Sequence, residues 1–232
     1  MLANNETGYI YPIAELVRSV RRIAPGALIH VDAVQGVGRI PVKMAEWGVD
    51  AVTLSGHKLG AFPGVGAAII RAGIIIDGEL LGGNQESGMR AGTQPVPAIH
   101  SLHRALLRFE EMGGVEGRAA RMASNRAAFL EGLGPDIGVL TVPPTLPTVP
   151  NTASIRFPGV SADYLVVAAD LHGVLISSGS ACSSGTQRPS PVLITAGLSD
   201  FWRAGQIVAQ CAGRLCRMVK SAQAEKSPFK ER

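Results

Sequence analysis

The sequence predicts an α/β protein: a mostly parallel sheet with packed helices over residues 1–112, then a smaller α+β domain over residues 113–232. Three observations carry that expectation. The runs Ala27 to Val31, Val49 to Leu54 and Val65 to Ile70 are short, nearly continuous and apolar, the pattern of strands buried on both faces of a sheet. The first run is preceded by a stretch whose apolar residues recur at helical spacing. After the glycine-rich stretch Leu81 to Gly92 the pattern changes to long helical runs, followed by a proline-rich break and then alternating strands and helices.

Each element has a local reason. From Pro12 to Ile23, the residues Ile13, Leu16, Val17, Val20 and Ile23 form an apolar stripe, with Arg18, Arg21 and Arg22 on other faces, and Pro25-Gly26 ends the helix. The next two runs stop at polar residues, Asp32 and Ser55-Gly56, and in such sheets the chemistry sits where the strands end. The glycine-rich stretch Leu81 to Gly92 leads into a helix marked by Ile99, Leu102, Leu106 and Phe109, then a second helical run from Val115 to Leu133. Val142 to Asn151, with Pro143, Pro144, Pro147 and Pro150, reads as an extended loop. A strand (Thr152 to Phe157), a helix (Ala162 to Leu171), a strand (Val174 to Ser177) and a final helix complete the α+β part.

Composition bounds the function. A chain of 232 residues with 46% hydrophobic and 17% charged residues is globular, not a disordered tail. The net charge of +4 is spread along the chain apart from the basic end Lys226 to Arg232, which makes no case for nucleic acid. No apolar run is long enough to cross a membrane, and the first residues lack the layout of a secretory signal, so a cytoplasmic chain is expected. Cys182, Cys211 and Cys216 cannot build a disulfide framework, and Cys211 and Cys216 lack further ligands at zinc-like spacing, so no metal is expected.

The chemistry-bearing residues gather at two strand ends. Asp32 and Gln35 close the first, in His30-Val-Asp-Ala-Val-Gln35, and the second closes in Ser55-Gly-His-Lys58. A lysine in a pocket forms imines with carbonyl cofactors. An acid to hold a protonated pyridine nitrogen, together with a lysine to hold an aldehyde, is the pair that pyridoxal phosphate requires. Cys182 sits among small polar residues, in Ser177-Ser-Gly-Ser-Ala-Cys-Ser183, a setting for an accessible thiol that can ionise.

These residues resemble the cysteine desulfurases of the class V aminotransferase group, fold type I pyridoxal-phosphate enzymes. The resemblance runs in order through Leu2-Ala-Asn-Asn-Glu-Thr-Gly8, His30 to Gln35, Ser55 to Lys58, Gly82-Gly-Asn-Gln-Glu-Ser-Gly-Met-Arg-Ala-Gly-Thr93 and Ser177 to Ser183. It implies that Lys58 holds the cofactor and then shuttles the substrate's α-proton. Asp32 would keep the pyridinium charged, Gln35 would bond the phenolic oxygen, and Asn5 would lie beside cofactor and substrate carboxylate. Ser55 and His57 would bind the phosphate, and Thr93 would reach the phosphate of a neighbouring subunit, which implies a homodimer. Cys182 would take the sulfur of L-cysteine as a persulfide, leaving L-alanine, for delivery to a sulfur acceptor or iron–sulfur scaffold protein.

The family's chains begin well before the Asn-Asn-Glu motif, so the resemblance implies a part of the large domain of the fold type I enzymes, truncated at its N-terminus, followed by the small domain. After Leu198-Ser-Asp200 the sequence leaves the family pattern where an arginine normally clamps the substrate carboxylate, and Arg203 is the nearest stand-in. Selenocysteine lyase activity, or an inactive fragment that binds a partner chain, are the alternatives these motifs leave open.

Overall fold

Helix α1 (Ile13–Ile23) opens the first of two compact units into which the chain divides in the computed structural model: Met1–Leu2 with Tyr11–Arg118, and Ala3–Ile10 with Ala119–Arg232. The structure describes residues 1–133, 138–157, 159–160, 162–178 and 190–196, and the backbone of 204–207. Of the predicted α1 stripe only Ile13 and Val17 are buried, whereas Leu16, Val20 and Ile23 face outward. The core line is therefore a single i, i+4 pair, which packs with Leu2, Val31, Ala33, Val49 and Val52.

The first unit contains a three-stranded sheet, β1 (His30–Asp32), β2 (Ala51–Ser55) and β3 (Gly66–Ile70), in the order β1-β2-β3. β1 and β2 are parallel, with Asp32 opposite Thr53, whereas β2 and β3 are antiparallel, from Ala51 opposite Ile70 to Ser55 opposite Gly66. The α/β expectation holds, with a sheet that is mixed. A parallel return needs a crossover of about a dozen residues or more, and residues 56–65 hold only a short 3-10 turn, Gly56–Leu59. Val31 and Val52 are buried on one face, and the opposite face carries exposed His30 and Asp32. The expected burial on both faces is thus replaced, among the described residues, by burial on one.

Two helices complete this unit. The short α2 (Met44–Trp47), which the apolar pattern does not announce, is closed by Gly48 in the left-handed region at φ 71°. α3 (Val96–Glu111) buries Leu102, Ala105 and Phe109, and Leu102 and Phe109 pack with Leu59 and Val65. That contact anchors the 3-10 turn directly after β2.

The second unit takes most of α4 (Gly114–Leu133) and a four-stranded antiparallel sheet in the order β4-β5-β7-β6. Its strands are β4 (Val139–Leu140), β5 (Ala153–Arg156), β6 (Ser177–Ser178) and β7 (Ala204–Ile207). With α5 (Ala162–Leu171), these elements enclose Phe129, Leu133, Ile155, Phe157, Leu165 and Val174. Ile155, Phe157 and Leu165 are at most 1% exposed, and each such side chain contributes about 2 kcal/mol through removal from water. The short α6 (Pro191–Thr195) starts at Ser190, whose hydroxyl accepts from Leu193 N at 3.3 Å. Residues 204–207 form β7, the strand between β5 and β6, pairing Ser154 with Gln206 and Ser177 with Gln206; the stretch of the expected final helix that holds Cys211 and Cys216 lies outside the described residues.

Candidate active site

The C-terminal ends of β1 and β2 build the site from the backbone outward. Ala33 is fully buried, and its N–H donates to Thr53 O at 2.9 Å, carrying the parallel pairing one step past Asp32. The chain then turns: Gly36 N and Val37 N both donate to Ala33 O, at 2.8 and 2.9 Å. Asp32 Oδ1 accepts from Val34 N at 2.9 Å, an Asx turn that holds the carboxylate at the strand end. Its second oxygen has no partner among the described residues. Gln35, half-buried, sits inside this turn. On the same face, His30 Nε2 lies 3.0 Å from Thr53 Oγ1.

The neighbouring strand end carries the other half. β2 finishes at Ser55, and Gly56 N donates to Val65 O at 2.8 Å, so the chain passes very close to the start of β3. A Cβ on Gly56 would come within 2.7 Å of Val65 Cγ1, which explains a glycine there. Ser55 Oγ and His57 Nδ1 are 2.8 Å apart. Leu59, buried at 4% exposure, anchors the 3-10 turn, so that Lys58 is half-buried and His57 exposed beside it.

The structure thus brings together Asp32, Gln35, Ser55, His57 and Lys58 at the ends of two paired strands. Thr93 belongs to the same unit and is exposed, after a loop in which Gln85 Oε1 accepts from Gly92 N at 3.0 Å; among the described residues no hydrogen bond or ion pair joins it to that cluster. Asn5 is exposed and belongs to the other unit, whereas its neighbour Asn4 is buried, with Oδ1 accepting from Glu6 N and Thr7 N at 2.9 Å. Of the two asparagines, Asn4 therefore shapes the loop and Asn5 is the one presented outward. Cys182 and Arg203 lie outside the described residues, as do Cys211 and Cys216.

One residue at this site is absent from the sequence-based list. Arg39, 7% exposed, donates from Nη1 to Val34 O at 3.1 Å and from Nη2 to Lys58 O at 3.4 Å. An arginine seven positions after Asp32, next to a glycine, reads as ordinary surface charge; only its burial separates it from that background.

The carboxylate, the hydroxyl–imidazole pair and the amine suit a ligand with a protonatable ring nitrogen, an anionic group and a carbonyl carbon. The class V aminotransferase family matches residues 1–213 of the chain. A cysteine desulfurase of Trichormus azollae is 37% identical over 227 residues, covering 97% of this chain and 55% of that protein. Among solved structures, a NifS-like protein superposes with a TM-score of 0.81 at 30% identity, covering 99% of this chain and 60% of the other. The NifS-like protein from Rickettsia africae ESF-5 gives 0.78 at 27% identity, covering 98% and 61%. The chain spans about half the length of the curated relatives it matches.

Proposed function

The chain belongs to the class V aminotransferase family, and on that premise we propose that it serves a pyridoxal-phosphate-dependent cysteine desulfurase. The observation that carries the reading is the pairing of two strand ends: the half-satisfied carboxylate of Asp32 on one, and Ser55, His57 and Lys58 on the next. These residues fit pyridoxal phosphate by the chemistry of their donors and acceptors. When bound, that group supplies an electron sink for the substrate's α-carbon.

The chain's own residues supply the rest. The Asp32 oxygen left over from the Asx turn would accept from a protonated ring nitrogen and keep it charged. Ser55 and His57 would donate to the phosphate, Gln35 would bond the cofactor's phenolic oxygen, and Asn5 would lie beside the cofactor and the substrate carboxylate. The Lys58 amine would hold the cofactor aldehyde and, once released, would move the substrate's α-proton. Cys182 Sγ takes the sulfur: the C–S bond of L-cysteine breaks and an S–S bond to Cys182 forms. The thiol and L-cysteine together become a persulfide and L-alanine, with no external oxidant. Thr93 reaching a second copy's phosphate, a homodimer, Arg203 at the substrate carboxylate, a cytoplasmic location, and delivery to an iron–sulfur scaffold or other sulfur acceptor complete the proposal.

The test is capture. Incubation with pyridoxal phosphate followed by borohydride should leave the pyridoxyl mass on Lys58, and Lys58→Ala should abolish it. Labelling that persists in Lys58→Ala, or no labelling of the wild-type chain, overturns the cofactor assignment. Cysteine-dependent sulfide release should then disappear in Cys182→Ala.

A further inference from the structure

Arg39 is buried and charged in a place where no carboxylate meets it: the ion pairs among the described residues are made by Arg21, Lys43 and Arg71. Its Nε is also buried without a hydrogen-bond partner. A second cation, Arg118, lies nearby with its guanidinium 4.0 Å above the Phe109 ring. Burial, with the Arg118 charge as the second cause, pushes the Arg39 pKa down to about 10, which leaves it protonated at neutral pH. Such a placement is costly, and what it obtains in return is two hydrogen bonds, to Val34 O and Lys58 O.

Those two carbonyls belong to the two segments that make the site. Val34 lies between Asp32 and Gln35, and Lys58 is the amine-bearing residue itself. The β1–β2 ladder stops at the bond from Ala33 N to Thr53 O. Past that point, among the described residues, the hydrogen-bonded link between the 34–38 turn and the 56–60 turn is the Arg39 guanidinium. Its planar fork can donate to both carbonyls at once, in a fixed geometry. Gly38 supports this arrangement. It is left-handed at φ 69°, and a Cβ there would come within 2.6 Å of Phe109 Cε2 and 3.2 Å of Arg118 Nη1, so a larger residue would displace the surroundings that enclose Arg39.

We propose that Arg39 is a positioning residue: its guanidinium ties the turn carrying Asp32 and Gln35 to the turn carrying Lys58, and so sets the spacing between carboxylate and amine. The inference rests on the reading of this site as a lysine-linked cofactor site, and it deepens that reading by naming what holds the two halves in register. Displacement of one half relative to the other by a fraction of an ångström is enough to slow capture of a bifunctional ligand.

Two measurements on the full chain test it. In the first, Arg39→Met and Arg39→Lys are titrated with pyridoxal phosphate, trapped with borohydride and quantified as pyridoxyl-Lys58, with circular dichroism confirming folding. Arg39→Met should need about tenfold more cofactor for half-labelling, and Arg39→Lys should recover part of that loss. A folded Arg39→Met that labels like wild type overturns the proposal. In the second, without cofactor, hydrogen exchange is followed at the amides of Gly36, Val37, Gly60 and Ala61 in Arg39→Lys, so that a misfolded Arg39→Met does not end the test. Faster exchange at both turns supports the tie, and unchanged exchange overturns it. If the wild-type chain captures no cofactor, the functional reading fails, and the exchange result still decides the tie.

Discussion

Asp32 and Asp50 stand at opposite ends of the same pair of parallel strands, and their surroundings differ in every respect. Asp50 precedes β2 and is 2% exposed. It accepts from Ile29 N at 2.7 Å, from Arg21 Nη2 at 2.7 Å, and from Arg71 through Nε at 2.9 Å and Nη2 at 2.7 Å. Arg21 also donates to Ala27 O, so one carboxylate gathers the last turn of α1, the start of β1 and the chain leaving β3. Asp32 ends β1, is exposed, and accepts one bond, from the backbone two residues on. A saturated carboxylate holds structure; a carboxylate with a spare oxygen on an open face is equipped to meet something outside the chain. The N-terminal edge of these two strands is a fastening, and the C-terminal edge carries the candidate site of the proposed function.

The comparison can be broken at either end. Asp50→Ala should have the larger effect on folding, lowering stability by about 2 kcal/mol in denaturant titration, because Ile29 N and two guanidinium groups lose a shared acceptor in a buried place. A loss near zero would mean that Arg21 and Arg71 are held by water as well as by Asp50.

Acid should show the same fastening in the wild-type chain. The Asp50 pKa is lowered from 3.8 to about 2, first by the bond from Ile29 N, then by Arg21, with burial opposing and Arg71 adding to the lowering. Its contribution to stability is therefore complete above about pH 4, and is lost as pH falls through the window from 3.8 to about 2. Thermal unfolding across that window should show a steeper decline in wild type than in Asp50→Asn.

The smallest change in stability is expected at the other end. Asp32→Asn keeps an oxygen for Val34 N and should alter stability by less than about 0.5 kcal/mol, while weakening pyridoxyl labelling of Lys58. A stability loss as large as that of Asp50→Ala would show that the Asx turn, and not an outside ligand, is what Asp32 serves.

Much of this was legible in the sequence, for reasons that can be given residue by residue. α5 falls on Ala162–Leu171, the span the sequence reading gives it, and both strand ends fall where Asp32 and Ser55 interrupt the apolar runs. The cluster Asp32, Gln35, Ser55, His57 and Lys58 follows from those two endings. Strand direction was also legible, but in loop length and not in hydrophobic pattern: residues 56–65 are too few for a parallel crossover, so β3 runs antiparallel. β7 has no signal of its own, because Ala204–Ile207 contains two small residues and a glutamine, and it is a strand through its pairing with β5 and β6. Arg39 and Asp50 escape for a common reason. Each is a charged residue whose meaning lies in burial and in partners distant along the chain, and composition assigns such residues to the surface.

The alternation along β1 has a consequence for how this protein can be damaged. Val31 points into the core while His30 and Asp32 point out, and the parallel register sets Asp32 against Thr53. A strand of three residues has no slack: insertion or deletion of one residue between Ile29 and Asp32 turns the carboxylate inward and a valine outward. Amino-acid exchanges at His30 or Val31 leave that parity intact. For this short segment, a change in chain length is therefore a graver lesion than a change in side-chain identity, and a library of single-codon deletions across residues 29–36 should show a sharper loss of labelling than a library of substitutions over the same span.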